Sequence, residues 1–310
     1  MYELPHRGDP DDLRTELERR VPDVELTLAS SYQDALERIG EADVVVTRKL
    51  TLELLDAADR LRWVQAINAG VDSYPLERLR SMGVTLTNAS GVHAEPIAQQ
   101  VLGYVLVYER NLLEGLDQQR RHVWRRYTAG ELTGKTLGVL GVGRIGGRIA
   151  ELGSAVGMRV VGTKRDPSTA PDVLEEVYPP EETHRVLSQS DYVVVACPLT
   201  DETEGMLGLN EFSTMKVDAI VINVGRGPII DEADLITALQ KGKIEGAALD
   251  VQDPEPMDPD SPLWDLPNVI ITPHMAGGTP HYWSRVADIF AENYRAYVAD
   301  DVDGFVNRVF

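Results

Sequence analysis

The sequence contains almost no cysteine, little lysine and no long apolar run. Cys197 is the one cysteine in 310 residues, so no intramolecular disulfide can form. No apolar stretch approaches the roughly 18 residues of a membrane span. Residues 1–5 contain neither a basic nor an apolar region, so we expect no signal peptide. These absences argue against a disulfide-rich secreted scaffold and predict a cytoplasmic protein with no membrane partner.

Positive charge is also scarce. The chain has 30 Lys and Arg against 50 Asp and Glu, a net charge of −20 at pH 7, and only six of the basic residues are Lys. Because such a surface repels phosphates, the charge argues against a nucleic-acid partner. Two interpretations remain open: an ordinary acidic protein, or a halophilic one whose carboxylates are screened by high salt. We prefer the second.

Short β-branched runs alternate with amphipathic stretches in two series, which predicts an α/β protein with parallel sheets. The length suggests two domains, each Rossmann-like or flavodoxin-like. In the first series, helices are predicted at 31–39 and 51–58, and strands at 24–28, 43–47, 63–67 and 84–87. In the second series, strands are predicted at 136–140, 159–162, 192–196, 219–224, 246–249 and 269–272.

Two helical stretches define the domain organisation. The broad apolar stripe of residues 96–121 predicts one long helix that bridges domains, forms a subunit interface or lies in a core. Residues 280–298 also read as a helix, but they are too few to form a domain after the second series. We therefore expect this helix to pack on the first domain. The predicted domains are 1–95 plus 279–310, for substrate, and 96–278, for a dinucleotide.

A glycine-rich loop follows the predicted strand 136–140 directly and precedes a helical stretch. In this loop Gly141 would make the tight turn, Gly143 would let the backbone approach a pyrophosphate, and Gly146 would allow close helix–strand packing. The helix N-terminus would then present N–H groups to the anion. The strand–loop–helix context predicts dinucleotide binding rather than a fortuitous glycine-rich turn.

Two cations stand where an NAD-binding site usually has a carboxylate, about 20 residues beyond the loop. Lys164 lies 18 residues after Gly146, and Arg165 follows it. Both could bind a ribose 2′-phosphate, which predicts a preference for NADP(H). Alternatively, they are two solvated surface residues, and Asp166 binds the ribose of NAD(H), so NAD(H) remains possible.

Charged and titratable residues follow several strands of the second series. Open α/β sheets bind ligands at this position, beyond the carboxyl ends of their strands. Arg226, Glu255 and His274 would reach the same sheet edge. Hydride transfer to a 2-keto acid leaves negative charge on oxygen, which a histidine can protonate and an arginine can stabilise. Taken singly, such a histidine is more often structural and such an arginine more often part of an ion pair.

These residues and their order resemble the D-isomer-specific 2-hydroxyacid dehydrogenase family, which includes glyoxylate/hydroxypyruvate reductases and phosphoglycerate dehydrogenases. The resemblance implies an NAD(P)-dependent oxidoreductase that reduces a 2-keto acid to a D-2-hydroxy acid, with the active site in a cleft between the domains. It also implies a homodimer that pairs through the dinucleotide-binding domains. The segments that carry it are 137–146, 197–203, 223–227, 248–251, 254–256 and 272–274.

The resemblance also implies residue roles. His274 would be the acid, Glu255 its carboxylate partner and Arg226 the catalytic arginine. The substrate would be bound by Arg226, His274 and the backbone of Ala69 and Gly70, in a loop that continues to Asp72. The cofactor would be bound by Gly141, Gly143, Arg144, Ile145, Gly146, Lys164, Arg165, Cys197, Pro198, Thr203, Val224, Gly225, Arg226, Asp250, His274 and Gly277.

Some alternatives stay open. A nucleotide-sensing regulator or corepressor could use the same fold, although no added partner-binding segment is evident. Cys197 is interpreted as structural rather than nucleophilic. His274 and His281 do not have a recognised ligand spacing, so no metal site is predicted. Trp124, Tyr282 and Trp283 are candidates for the substrate pocket.

Overall fold

The computed structural model describes residues 10–71 and 73–310; the N-terminal segment considered above and Asp72 lie outside this range. The chain divides into two units. The first ends at His93 and resumes at Thr279, and the second is Ala94–Gly278. The strands are β1 (Val44–Thr47), β2 (Trp63–Ala66), β3 (Thr85–Thr87), β4 (Thr136–Leu140), β5 (Arg159–Thr163), β6 (Glu176–Tyr178), β7 (Tyr192–Val195), β8 (Ile220–Asn223), β9 (Gly246–Leu249) and β10 (Val269–Ile271).

The helices are joined by short loops and 3-10 turns. They are α1 (Pro10–Arg20), α2 (Tyr32–Arg38), α3 (Leu52–Asp56), α4 (Leu76–Ser81), α5 (Ala94–Glu109), α6 (Leu112–Arg120), α7 (Arg144–Ala155), α8 (Thr183–Gln189), α9 (Leu209–Thr214), α10 (Glu232–Gln240) and α11 (Tyr282–Val298). None of them, in the ranges described, is long and apolar enough to cross a membrane. The predicted α/β fold with parallel sheets is confirmed.

The first unit contains a three-stranded parallel sheet in the order β1-β2-β3. Val64 in the central strand lies opposite Val45 on one side and Leu86 on the other. The prediction of a strand at 24–28 is wrong, because within the described chain that segment pairs with no strand of either sheet. Its apolar alternation instead reflects packing: Val24 and Leu26 lie against an apolar cluster, while Leu28 is 43% exposed.

The final helix α11 belongs to the first unit, as its position in the sequence predicted. It packs against α1, and Phe290 stacks on Trp63 of β2 with ring centroids 5.1 Å apart. Trp63 is fully buried and donates from Nε1 to Thr87 Oγ1 at 2.8 Å. The core of the first unit therefore joins residues from both ends of the chain.

The second unit has a seven-stranded parallel sheet in the order β10-β9-β8-β7-β4-β5-β6. The connection from β4 runs outward to β5 and β6, and β7 then starts the other half on the opposite side of β4. This reversal creates a crevice beyond the carboxyl ends of β4 and β7, where doubly wound folds bind ligands. The edge strand β6, which has three residues, was not predicted.

The long helix predicted at 96–121 is in fact two helices. The break is at Asn111, which has a left-handed backbone (φ 51°) and stands between α5 and α6. Asparagine tolerates this conformation better than most residues. The apolar face of α5, with Tyr104 and Val105 fully covered, packs on α7 in the core, whereas Leu112 and Leu116 of α6 remain exposed.

Candidate active site

The glycine loop after β4 is shaped by contacts that exclude side chains at two positions. Gly141 has φ +95°, and a Cβ there would lie 2.6 Å from the Cα of Cys197. A Cβ at Gly146 would lie 2.2 Å from the carbonyl oxygen of Gly141. At Gly143, by contrast, an added Cβ would meet no atom within 4 Å. The space above Gly143 is thus open, which suits the close approach of a pyrophosphate.

The loop is held in place by the end of β5. Thr163 accepts from Gly141 N through its hydroxyl at 3.1 Å and from Val142 N through its carbonyl at 2.8 Å. Helix α7 then begins at Arg144, so its first turn, which includes Ile145, presents backbone N–H groups towards the loop. A dinucleotide phosphate fits this arrangement of dipole and open backbone.

The two predicted cations stand at the end of β5. Lys164 donates from Nζ to Val142 O at 2.6 Å, so its charge lies at the rim of the glycine loop. Arg165 is exposed. Asp166 is engaged in its own turn, where Oδ1 accepts from Ser168 N at 3.1 Å and from Ser168 Oγ at 2.6 Å.

The loop after β7 also borders the glycine loop. Cys197 packs against Gly141, and burial raises the pKa of its thiol. A thiol with a raised pKa is a weak nucleophile at neutral pH, which agrees with a structural role. Thr203 joins the ends of this loop by donating to Pro198 O at 2.7 Å and accepting from Thr200 N at 2.8 Å.

The turn after β8 presents Arg226. The buried side chain of Asn223 accepts from Gly225 N and donates to Arg226 O, both at 3.0 Å. Arg226 itself is exposed, and its Nη1 donates to Gly225 O at 2.7 Å. Asn223 was not predicted as a site residue, yet a polar residue that ends an apolar strand before Val224 is a signal that could have identified it.

His274 and Glu255 form a hydrogen-bonded pair. The distance from His274 Nδ1 to Glu255 Oε2 is 2.7 Å, and Glu255 Oε1 accepts from Gln252 N at 3.1 Å. The side chains are 51% and 40% exposed. Because Glu255 takes Nδ1, the ring nitrogen that can meet a reactant is Nε2. The structure therefore brings together two residues that are 19 positions apart in the sequence.

Asp250 lies beneath the turn that carries His274. Its carboxylate is 3% exposed and accepts from the Thr272 hydroxyl, from Met275 N at 3.0 Å and from Ala276 N at 2.9 Å. Gly277 follows this turn and is half-buried. The support that Asp250 gives to the turn was not foreseen from the sequence.

In the first unit, the loop after β2 presents Ala69 and Gly70, both exposed. Asn68 Nδ2 donates to Gly70 O and Asn88 Nδ2 donates to Ala69 O, each at 2.8 Å. Tyr74 orients Asn68 by donating to its Oδ1 at 3.0 Å. Amide side chains therefore hold both of these carbonyl groups in place.

The three aromatic candidates for a substrate pocket have different environments. Trp124 is fully exposed. Tyr282 is buried and donates its hydroxyl to Ile67 O, at the end of β2. Trp283 is 9% exposed, and its Nε1 is one of the buried side-chain nitrogen atoms for which the described residues offer no hydrogen-bond partner.

Comparison with known proteins identifies the family. A family model described as the NAD-binding domain of D-isomer-specific 2-hydroxyacid dehydrogenases matches residues 102–276. The chain belongs to the D-isomer-specific 2-hydroxyacid dehydrogenase family. The predicted family and enzyme class are thus confirmed: this member of the family is an NAD(P)-dependent D-2-hydroxyacid dehydrogenase.

Individual relatives agree with this assignment. A glyoxylate reductase of Aeropyrum pernix is 36% identical over 291 residues, which are 89% of this chain and 86% of the relative. A solved family member from Aeromonas salmonicida has a TM-score of 0.80 at 33% identity, over 97% of this chain and 96% of that one. A second solved family member, from Xanthobacter autotrophicus Py2 with NADPH and MES bound, has a TM-score of 0.83 at 28% identity. The match covers 99% of this chain and 96% of that one.

Proposed function

We propose that this dehydrogenase reduces a small 2-keto acid to the D-2-hydroxy acid and prefers NADPH as the hydride donor. The observation that carries the proposal is the arrangement of one sheet edge. The glycine loop follows β4, Arg226 follows β8, Asp250 follows β9 and His274 follows β10, so all four lie beyond the carboxyl ends of parallel strands of one sheet. A dinucleotide and a reacting carbonyl can therefore share this edge.

The bound coenzyme would supply a hydride to the carbonyl carbon of the substrate. The carbonyl oxygen then gains negative charge, and His274 delivers the proton from Nε2 to form the hydroxyl group. Glu255 holds the ring through Nδ1 and stabilises the imidazolium that precedes proton transfer. Arg226 pairs with the substrate carboxylate and stabilises the charge on the carbonyl oxygen. Solvent returns the proton to His274 after turnover, since its side chain is half-exposed.

Two further contacts with the reactants belong to this proposal. Ala69 and Gly70 bind the substrate carboxylate through their backbone N–H groups, while the Asn68 and Asn88 amides hold their carbonyl oxygens. Asp250 Oδ2 accepts one hydrogen bond among the described residues, from Ala276 N, and has capacity for a second, which the nicotinamide carboxamide donates.

The preference for NADPH rests on the end of β5. Lys164 and Arg165 supply two cations for a 2′-phosphate, while the Asp166 carboxylate is engaged by Ser168. The strands β5 and β9 are four steps apart in the sheet, or about 19 Å at the usual strand spacing. The adenosine end of the coenzyme would thus lie at β5 and its nicotinamide end near β9.

We also propose that two copies of the chain pair through their second units. Leu112 and Leu116 on α6, and Val123 and Trp124 beyond it, expose large apolar side chains. Next to α6 lies a cavity of about 600 Å³ that reaches the buried Glu109. Large exposed apolar side chains on one segment of the chain favour an interaction surface there. Light scattering should give the mass of a dimer, and Leu116→Glu should shift it to a monomer; a monomeric unaltered protein would contradict the proposal.

Coenzyme oxidation tests the reaction. Glyoxylate and hydroxypyruvate are the first substrates to try, since relatives are named as reductases of these acids, followed by pyruvate and longer 2-keto acids. The loss of NADPH or NADH absorbance would be followed at low and at molar salt, because the acidic surface and the proposed salt adaptation make both conditions relevant. We expect turnover with at least one acid. Tight NADPH binding without turnover at any salt concentration would instead indicate a nucleotide-sensing regulator.

The cytoplasmic location expected from the sequence stays a prediction.

A further inference from the structure

We propose that Tyr104, Thr272 and Asp250 form a hydrogen-bonded support that positions His274 for proton transfer. The inference rests on the proposed function, in which His274 is the acid. Tyr104 and Thr272 do not contact the reactants and are positioning residues, while Asp250, which the proposed function also places at the nicotinamide, connects them to the His274 turn. Tyr104 in particular lies on the apolar face of α5 and would otherwise count only as part of the core.

The turn that carries His274 needs support because of its backbone. His274 has φ 50°, a left-handed conformation that is unfavourable for a residue with a Cβ atom. Its N–H donates to Asp250 O at 2.8 Å, and the next two N–H groups, of Met275 and Ala276, donate to the Asp250 carboxylate. One buried aspartate thus binds three consecutive backbone N–H groups of the turn and keeps His274 in this conformation.

The hydrogen bonds have a defined direction. The Thr272 hydroxyl donates to Asp250 Oδ1, so its oxygen must accept from Tyr104, whose hydroxyl is 2.6 Å away. Burial raises the pKa of Tyr104, which keeps the phenol protonated and able to donate at neutral pH. The hydrogen bonds therefore run from Tyr104 of helix α5 through Thr272 to the Asp250 carboxylate.

The charge of Asp250 also favours a specific role. Asp250 is 3% exposed, and a buried carboxylate is costly unless hydrogen bonds or a cation compensate its charge. Among the ion pairs of the described residues, none involves Asp250. The groups that donate to its carboxylate are the Thr272 hydroxyl and two N–H groups of the His274 turn, and these hydrogen bonds compensate the charge. Removing the Tyr104 hydroxyl would weaken the Thr272 hydrogen bond and loosen the turn.

A matched control is available one turn further along α5. Tyr108 is also a buried phenol, and it donates to Ala247 O at 2.6 Å and to Asn268 O at 3.1 Å. These acceptors lie at the amino-terminal ends of β9 and β10, away from the His274 turn. Tyr104→Phe and Tyr108→Phe therefore remove comparable hydroxyl groups from the same helix, but only the first touches the proposed support.

The experiment compares Tyr104→Phe, Tyr108→Phe, Thr272→Val and Thr272→Ser in the full chain. The measurements are kcat, KM for the 2-keto acid, the NADPH dissociation constant, and hydrogen exchange of the Met275 and Ala276 amides without ligands. We expect Tyr104→Phe to lower kcat about 5-fold to 10-fold, the effect of one lost hydrogen bond. Thr272→Val should lower it about 10-fold to 100-fold, since a bond to a charged group is lost, and Thr272→Ser should restore most of it.

KM and the NADPH constant should change by less than about 2-fold in all four variants, and Tyr108→Phe should leave kcat unchanged. The two amides should exchange faster in Tyr104→Phe and Thr272→Val only. Equal kcat values for Tyr104→Phe and Tyr108→Phe, or unchanged amide exchange in Thr272→Val, would overturn the proposal. If the unaltered protein shows no turnover, the proposed function fails, and amide exchange alone then decides whether the support exists.

Discussion

Replacing Gly143 by alanine should weaken NADPH binding while leaving the protein folded. The structure separates the two effects, because a Cβ at this position would meet no protein atom within 4 Å and the backbone φ of −94° is open to any residue. Alanine is a poorer helix N-cap than glycine, which costs less than about 1 kcal/mol of folding free energy. The methyl group would, however, occupy the space through which the pyrophosphate approaches the backbone.

The size of the binding effect follows from overpacking. Forcing a methyl group into a filled contact costs about 1–3 kcal/mol, so the NADPH dissociation constant should rise about 5-fold to 150-fold. Gly146→Ala is the contrasting variant, since its Cβ would lie 2.2 Å from Gly141 O and 3.0 Å from Val139 Cγ1. That variant should lose stability and coenzyme binding together, because α7 would have to move away from the loop.

The assay combines titration of NADPH by fluorescence with urea unfolding of each variant. An unchanged dissociation constant in Gly143→Ala would refute the placement of the pyrophosphate over this residue. A loss of unfolding free energy in Gly143→Ala as large as that in Gly146→Ala would refute the assignment of open space above Gly143.

Four further predictions concern the acid, its carboxylate partner, the coenzyme and the surface. His274→Asn keeps a residue that tolerates the left-handed backbone, so kcat should fall about 100-fold or more while NADPH binding is retained; surviving catalysis would require another acid. Glu255→Gln should lower kcat less, as the ring keeps a hydrogen-bond partner. Neutralising Lys164 and Arg165 together should raise KM for NADPH about 10-fold or more and leave that for NADH nearly unchanged; equal changes would remove their proposed role. If the net charge of −20 reflects salt adaptation, dilution into low salt should unfold the protein, whereas full stability there would contradict this interpretation.

Features encoded by neighbouring residues could be predicted from the sequence. The glycine loop is one example: its residues are consecutive, and the structure explains Gly141 and Gly146 by contacts within the loop and with Cys197. The pairing of His274 with Glu255 could also be inferred, because parallel strands bring the residues after β9 and β10 to one edge.

Features that depend on distant partners could not be predicted. The break at Asn111 separates α5 from α6, next to the hydrogen bond that Arg110 donates to Gly130 O. This contact joins residues 20 positions apart, so the spacing of apolar residues within the helix does not predict it. Residues 24–28 alternate as a strand would, but a strand also needs a neighbour to pair with. Tyr104 reads as one more apolar position of a helix, and its partner Thr272 is 168 residues further along the chain.

The configuration of the product tests the central claim most directly. The enzyme would be supplied with 2-keto acid and NADPH that carries deuterium at the hydride-donating position of the nicotinamide. The enantiomers of the hydroxy acid would be separated by chiral chromatography, and their mass would be measured by mass spectrometry. We expect the D-2-hydroxy acid with one deuterium on C2, and a yield that falls sharply in His274→Asn. An L-product, or a product without deuterium, would contradict the account.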